Sequence, residues 1–127
     1  MQQIIHYLYL GLASLYCQPV DLNEMVLNEQ HHNRQIEVNY SDTLVVELAY
    51  QAGTGYYWTW LEDDGSHTIL KLIDIQSQSE PSRPGEKAQQ QFRFSVVARG
   101  TYKLNLHLKR QWEDSILRTY SVTLEAD

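Results

Sequence analysis

An all-β fold is predicted by three features of the amino-acid sequence. Apolar and polar residues alternate with a period of two, the pattern of a strand with one buried face, most clearly where Leu104, Leu106 and Leu108 alternate with polar neighbours. No segment of the 127-residue chain shows a sustained 3.6-residue period. Turn residues interrupt the alternating segments at short intervals. Together these features predict an immunoglobulin-like β-sandwich of about seven to eight strands.

Six strands are predicted in the second part of the chain. They cover residues 43–50, 56–62, 68–78, 88–97, 101–109 and 116–125. Two earlier apolar clusters, at residues 25–27 and at Ile36 and Val38, are too short for central strands and predict two edge strands, with a turn at 28–34 between them. Within 68–78 the apolar residues fall on both faces, so this strand either changes sheet or carries a β-bulge.

Composition and charge argue against several classes of function. A formal net charge of −6 disfavours a nucleic-acid partner, which would select a basic face. The only cysteine, Cys17, allows neither an internal disulfide nor a multi-cysteine metal site. His31 and His32 are adjacent and are interpreted as solvated turn residues rather than metal ligands, so no cofactor is expected. Because nothing resembles a nucleophile elbow or a paired-carboxylate cleft, no enzyme activity is predicted.

Residues 1–17 are predicted to be separate from the domain formed by residues 18–127. The apolar run at 4–15 is too short to span a bilayer as a helix and has the length of a signal-peptide core, although no Lys or Arg precedes it. It ends at Cys17, like the lipid-modified cysteine of lipoproteins, but Tyr16 stands where a small residue is expected. We expect export, to the periplasm, to a membrane tether or to the medium. The alternative is a partly buried N-terminal strand or helix.

Three connections between the predicted strands are expected at one end of the sandwich. If successive strands run antiparallel across the two sheets, the connections after 43–50, 68–78 and 101–109 emerge together. They contain Gly53-Thr54-Gly55, the segment 81–85 and Arg110-Gln111-Trp112. The opposite end receives ordinary turns at 63–66 and 98–100. The acidic residues 62–64 are interpreted as a solvated hairpin tip rather than a metal or acid–base cluster.

The first and third of these connections have the composition of a recognition surface. Glycine reaches φ > 0 without penalty, so Gly53-Thr54-Gly55 can form a tight exposed turn before an aromatic strand. Trp112 stands among charged residues in a predicted loop and has little core to enter. Because Trp, Tyr and Arg dominate interface hot spots, we predict that Trp112 is an exposed anchor for a partner. The alternative is that it folds back over the edge of the sandwich.

These three loops, in this order, resemble the chagasin-like inhibitors of papain-type cysteine peptidases. The family's first loop carries Asn-Pro-Thr-Thr-Gly-Tyr/Phe followed by Trp, and here Gln51-Ala52-Gly53-Thr54-Gly55-Tyr56 precedes Trp58. Its Gly-x-Gly-Gly second loop corresponds to Arg83-Pro84-Gly85 ahead of Phe92-Arg93-Phe94, and its Arg-Pro-Trp third loop to Arg110-Gln111-Trp112. The resemblance covers about residues 20–126. The Asn-Pro start is absent, the second loop keeps one glycine, and Gln111 replaces a proline.

The resemblance implies a reversible inhibitor of papain-family cysteine peptidases that plugs the active-site cleft. The first loop would enter the cleft beside the catalytic Cys/His pair, with Thr54 nearest the catalytic centre, and the other two loops would brace the sides. A monomer is expected. The implied peptidase-binding residues are Gln51, Ala52, Gly53, Thr54, Gly55, Tyr56, Arg83, Pro84, Gly85, Arg110, Gln111 and Trp112. The alternative function is an immunoglobulin-like binding module that recognises a glycan or a surface protein through exposed Trp and Tyr.

Overall fold

The structure, a computed structural model, describes residues 24–61, 69–78 and 87–127. This part of the chain contains eight β-strands and a single 3-10 turn at Glu29–His31, with no α-helix, so the predicted all-β class is confirmed. The strands are β1 (Glu24–Leu27), β2 (Gln35–Val38), β3 (Thr43–Gln51), β4 (Tyr56–Trp60), β5 (Leu70–Gln78), β6 (Lys87–Val96), β7 (Gly100–Arg110) and β8 (Arg118–Ala126).

Some of the predicted features lie outside the described residues. They are the export segment 1–17 with Cys17, the acidic turn at 62–66 and the second loop with Arg83, Pro84 and Gly85. The described residues include no helix with the length and apolarity needed to cross a membrane.

The eight strands form two four-stranded sheets. One has the order β1-β3-β6-β5 and the other β2-β8-β7-β4. The short strands β1 and β2 each lie at the edge of a sheet and run parallel to their neighbours, β3 and β8. All other pairs are antiparallel. The predicted pair of edge strands is therefore confirmed, and the turn at 28–34 carries the chain from one sheet to the other.

The strand bounds differ from the predicted ones by a few residues. β4 ends at Trp60, and the Leu61 N–H still bonds to the Asn105 carbonyl in the register of β4 with β7, whereas the predicted end at 62 lies outside the described residues. β8 begins at Arg118 rather than at 116, and the apolar side chains of Ile116 and Leu117 are exposed. β5 carries a bulge, since its register with β6 shifts between Leu72 and Asp74. The bulge, and not a change of sheet, explains the apolar residues on both faces.

The core lies between the sheets and follows the period-two pattern. Phe92 and Phe94 of β6 are fully buried, and so are Leu104 and Leu106 of β7, which belong to the same core cluster. The indole of Trp60 meets Phe94 edge-on, with ring centroids 5.0 Å apart. This interlocked core holds both sheets in a fixed relation, which in turn fixes the ends of the strands.

Trp58 holds β4 to two strands of the opposite sheet, β6 and β3. Its backbone N–H donates to Oε1 of buried Gln90 at 2.8 Å, and its carbonyl accepts from Nε2 of the same residue at 3.0 Å. Its indole Nε1 donates to the Ala49 carbonyl near the end of β3 at 3.0 Å. The connection between β3 and β4 is therefore held at both of its ends.

Candidate functional site

Strand pairing brings the ends that flank all three predicted loops to one end of the sandwich. In one sheet, Gln51 at the end of β3 lies opposite Lys87 at the start of β6, and Gln78 at the end of β5 lies opposite Gln89. In the other sheet, Tyr56 at the start of β4 lies opposite Arg110 at the end of β7. We call this the loop end, and the end that holds the start of β3 and the start of β7 the far end. The predicted common end is confirmed for these flanking strands.

The first loop, residues 52–55, is closed by its own threonine. Gly53 and Gly55 have φ angles of 83° and 87°, a conformation that glycine adopts without the steric cost of a Cβ. Oγ1 of Thr54 donates to the Gln51 carbonyl at 2.7 Å and accepts from the Tyr56 N–H at 3.4 Å. The loop is therefore preformed, with the Thr54 hydroxyl bound inside it.

Arg110 joins the third loop to the first. Its Nε donates to the Thr54 carbonyl at 3.0 Å, and its guanidinium carbon lies 4.3 Å from the centre of the Tyr56 ring. The same group lies 5.9 Å from the Trp112 ring and pairs with Glu113 through Nη1 at 3.5 Å. A planar guanidinium can donate a hydrogen bond and stack on aromatic rings at once, so a lysine would not reproduce these contacts.

Trp112 is 70% exposed, which confirms its predicted exposure. The alternative, that it folds back over the sandwich edge, is wrong. Its indole instead lies against the first loop. It is so close to Gly55 that a Cβ built there would be 2.6 Å from the Trp112 Cη2 atom. The absence of a side chain at Gly55 therefore allows the two loops to touch.

The predicted site residues differ in whether the structure describes them and in how exposed they are. Nine of the twelve are described and lie in one continuous region at the loop end: Gln51, Ala52, Gly53, Thr54, Gly55, Tyr56, Arg110, Gln111 and Trp112. Among these, Gln51, Gly53, Gln111 and Trp112 are exposed, whereas Ala52 and Tyr56 pack partly against the core. Ala52 and Tyr56 therefore position the loop more than they present it to a partner.

Sequence analysis missed three residues at this end. Lys87, Leu117 and Arg118 line a cavity of about 250 Å³ together with Thr54 and Tyr56 of the first loop. Lys87 and Arg118 begin strands, and Leu117 immediately precedes β8. Only the pairing of Gln51 with Lys87 and of Leu108 with Arg118 brings them beside the first loop. The strand register is the signal that would have found them.

The histidines of the 28–34 turn are engaged in backbone hydrogen bonds. Nδ1 of His31 accepts from the Asn28 N–H, and Nδ1 of His32 accepts from the Ser121 N–H, both at 3.1 Å. No cluster of three or more His, Cys, Asp or Glu side chains suited to a metal ion occurs among the described residues. The two histidines shape the turn that crosses between the sheets.

Comparison with protein families defines the class of the protein. The family described as "Chagasin family peptidase inhibitor I42" matches residues 37–124, which contain both described loops of the candidate site. The chain belongs to this family of peptidase inhibitors. A member of such a family acts by binding a peptidase and is not itself an enzyme.

Solved structures show the same fold at low sequence identity. The cysteine protease inhibitor EhICP2 from Entamoeba histolytica has a TM-score of 0.69 at 19% identity and covers 82% of this chain and 96% of its own. Amebosin gives 0.66 at 19% identity, with coverage of 82% and 98%. PbICP-C, solved in complex with falcipain-2, gives 0.55 at 15% identity, with coverage of 81% and 99%. Comparison with curated protein sequences found no significant match.

Proposed function

We propose that this peptidase inhibitor acts on papain-family cysteine peptidases and blocks the active-site cleft with its loop end. Two of the similar structures support the peptidase class, since one is described as a cysteine protease inhibitor and another was solved in complex with falcipain-2. The observation that carries the proposal is the bridge formed by Arg110. It ties the closed first loop to the loop that presents the exposed Trp112.

The first loop is suited to obstruct a cleft. Its positive φ angles at Gly53 and Gly55 hold the chain in a turn rather than in an extended strand. The Thr54 hydroxyl is bound within the loop, so binding does not have to order it. A preformed surface loses little conformational entropy on association, and this favours tight binding by a small contact area.

Trp112 supplies the anchor beside this loop. Its large exposed surface becomes buried when a partner covers the loop end, and tryptophan is among the residues that contribute most to interface energy. We propose that the inhibitor binds its peptidase as a monomer.

A variant with one aromatic residue removed tests the proposal. Trp112→Ala is expected to weaken inhibition of papain by about 2 kcal/mol, or roughly 30-fold, in a steady-state inhibition assay. The free energy of unfolding should change little, because an exposed side chain leaves no cavity when it is truncated.

Tyr40→Ala is the matched control. Tyr40 is an exposed aromatic at the far end, where its N–H bonds to the Asp127 carbonyl. It should leave inhibition unchanged. Equal weakening by both variants, or unfolding caused by Trp112→Ala, would show that the loop end is not the binding surface.

We also propose that residues 1–17 direct export of the protein, through the apolar run at 4–15. Mass spectrometry of the protein from its native host should show that this segment has been removed, or that Cys17 carries a lipid. An intact, unmodified Met1 terminus would argue against export by this route.

A further inference from the structure

The cavity at the loop end combines an apolar floor with a cationic rim. Tyr50 and Leu108, both buried, contribute to the floor, and Leu117 contributes an exposed apolar wall. Lys87 and Arg118 are the charged residues that line it, and both are exposed. None of the described residues that line this cavity is acidic, although the whole chain carries a formal net charge of −6. The cavity is therefore a locally basic site on an acidic protein.

Lys87 and Arg118 have no counter-ion among the residues that the structure describes. The ion pairs in that part of the chain join Arg93 to Glu24 and Arg110 to Glu113. Glu29 lines a smaller neighbouring cavity together with Arg118, but its Oε2 accepts the Ala49 N–H at 2.7 Å and it forms no ion pair with Arg118. Both cations thus remain available to an outside carboxylate.

The size of the cavity limits what can enter it. Its volume of about 250 Å³ corresponds to roughly eight water molecules at liquid density, which is enough room for one side chain. An apolar floor accepts methylene groups, and an arginine at the rim can bind a carboxylate through two parallel hydrogen bonds. A glutamate or aspartate side chain meets both requirements.

We propose that this cavity is a specificity subsite that accepts an acidic side chain from the rim of the peptidase cleft. Arg118 and Lys87 bind the carboxylate, while Tyr50, Leu108 and Leu117 enclose the stem of the side chain. The inference rests on the proposed function, because the cavity borders the first loop through Thr54 and Tyr56. It predicts that the inhibitor favours cysteine peptidases with acidic residues beside the cleft, and that salt slows its association.

The test neutralises the two cations together. For the papain-family peptidase that the wild-type protein inhibits most strongly, Lys87→Gln/Arg118→Gln should raise the inhibition constant tenfold or more. It should also remove most of the change in association rate between 50 and 300 mM NaCl. The control, Lys71→Gln/Arg99→Gln, makes the same change in net charge at exposed positions at or near the far end. It should change the inhibition constant less than twofold.

A double-mutant cycle locates the partner group. Each Asp and Glu on the rim of that peptidase's cleft is replaced by its amide and measured against wild type and Arg118→Gln. One replacement should abolish most of the effect of Arg118→Gln. The subsite is refuted if no rim residue couples to Arg118 by more than threefold, or if both double variants weaken inhibition equally. Failure of the proposed function looks different, since the wild-type protein would then inhibit no papain-family peptidase.

Discussion

At Gly55, both the backbone conformation and the position of the neighbouring Trp112 indole require a residue without a side chain. Its φ of 87° is a conformation that other residues rarely adopt, and a Cβ there would lie 2.6 Å from the Trp112 indole. Gly100 at the far end also has a positive φ, of 134°, but a Cβ there would meet nothing within 4 Å. Substitutions at the two glycines therefore distinguish the cost of backbone strain from the effect of displacing Trp112.

We predict that Gly55→Ala and Gly100→Ala both lower the free energy of unfolding, by about 1–2 kcal/mol, because each puts a side chain at positive φ. Only Gly55→Ala should weaken inhibition, by tenfold or more, since the methyl group forces the Trp112 indole away from the first loop. Urea unfolding and steady-state inhibition measure the two effects. Similar inhibition by both variants would show that the position of Trp112 is unimportant for binding.

Tyr120 is the residue whose ionisation the fold opposes. Burial raises the pKa of its hydroxyl, and the negative charge of Glu29 raises it further. The hydroxyl donates to the Asn28 carbonyl at 2.8 Å, which anchors the turn between β1 and β2. In an unfolded chain tyrosine ionises near pH 10. Below that pH the Tyr120 hydroxyl is protonated in both the folded and the unfolded chain, and its full contribution to stability is present. Above that pH the unfolded chain loses this proton first, which favours unfolding.

We therefore predict that the free energy of unfolding falls above about pH 10, with Tyr120 contributing about 1.4 kcal/mol per pH unit until the folded-state pKa is reached. Tyr120→Phe should be less stable at pH 8, by about 1 kcal/mol for the lost hydrogen bond, but should decline less steeply from pH 10 to 11. Urea titrations at each pH measure the slopes. Tyr57→Phe, at an exposed ring, should keep the wild-type slope. Parallel slopes for all three proteins would contradict the assignment to Tyr120.

At the scale of elements, β4 depends on a side chain from the opposite sheet. It is an edge strand, and the N–H and carbonyl of Trp58 both bond to the buried amide of Gln90 on β6. This amide supplies the partners that a further strand would otherwise provide. Because β4 begins directly after the first loop, the same contact sets the position of that loop.

Replacing Gln90 with leucine keeps its size but leaves two backbone groups of Trp58 without a partner. We predict a loss of about 2–4 kcal/mol in the free energy of unfolding, together with weaker inhibition. Gln91→Leu is the matched control, since the Gln91 side chain donates to the Glu47 carboxylate and not to the backbone of β4. It should cost about 1 kcal/mol or less. If the two variants were equally stable in urea unfolding, the contact between Gln90 and Trp58 would not hold β4.

At the scale of the whole molecule, the two ends of the sandwich are built differently. At the far end, short connections pack closely: the Ser41 N–H bonds to the Val96 carbonyl, and Arg99 covers the Tyr40 ring at 4.7 Å. At the loop end, side chains that are distant in sequence form one surface around Arg110 and Trp112. Because of this asymmetry, substitutions at the far end can serve as controls for most substitutions at the loop end.

Local features of the sequence determined the strands and the character of the first loop. The period-two pattern identified the strand segments because one face of each strand must be buried, so that every second residue is apolar. Gly53 and Gly55 indicated a turn with positive φ, and the charged neighbours of Trp112 indicated an exposed indole. The family resemblance added the grouping of three loops as an inhibitory surface. Of these residues, Arg83, Pro84 and Gly85 lie outside the described chain and remain a prediction.

Tertiary structure alone decided how the site is held together. The bond from Arg110 to Thr54 joins residues 56 positions apart, and the clamp between Gln90 and Trp58 joins residues 32 apart. The parallel pairing of β1 with β3 and of β2 with β8, the bulge in β5 and the placement of Lys87 and Arg118 at one cavity likewise depend on which strands become neighbours and in which register. Sequence periodicity reports which face of a strand is buried but carries no information about the strand beside it. Long-range contacts therefore had to come from the packed sheets.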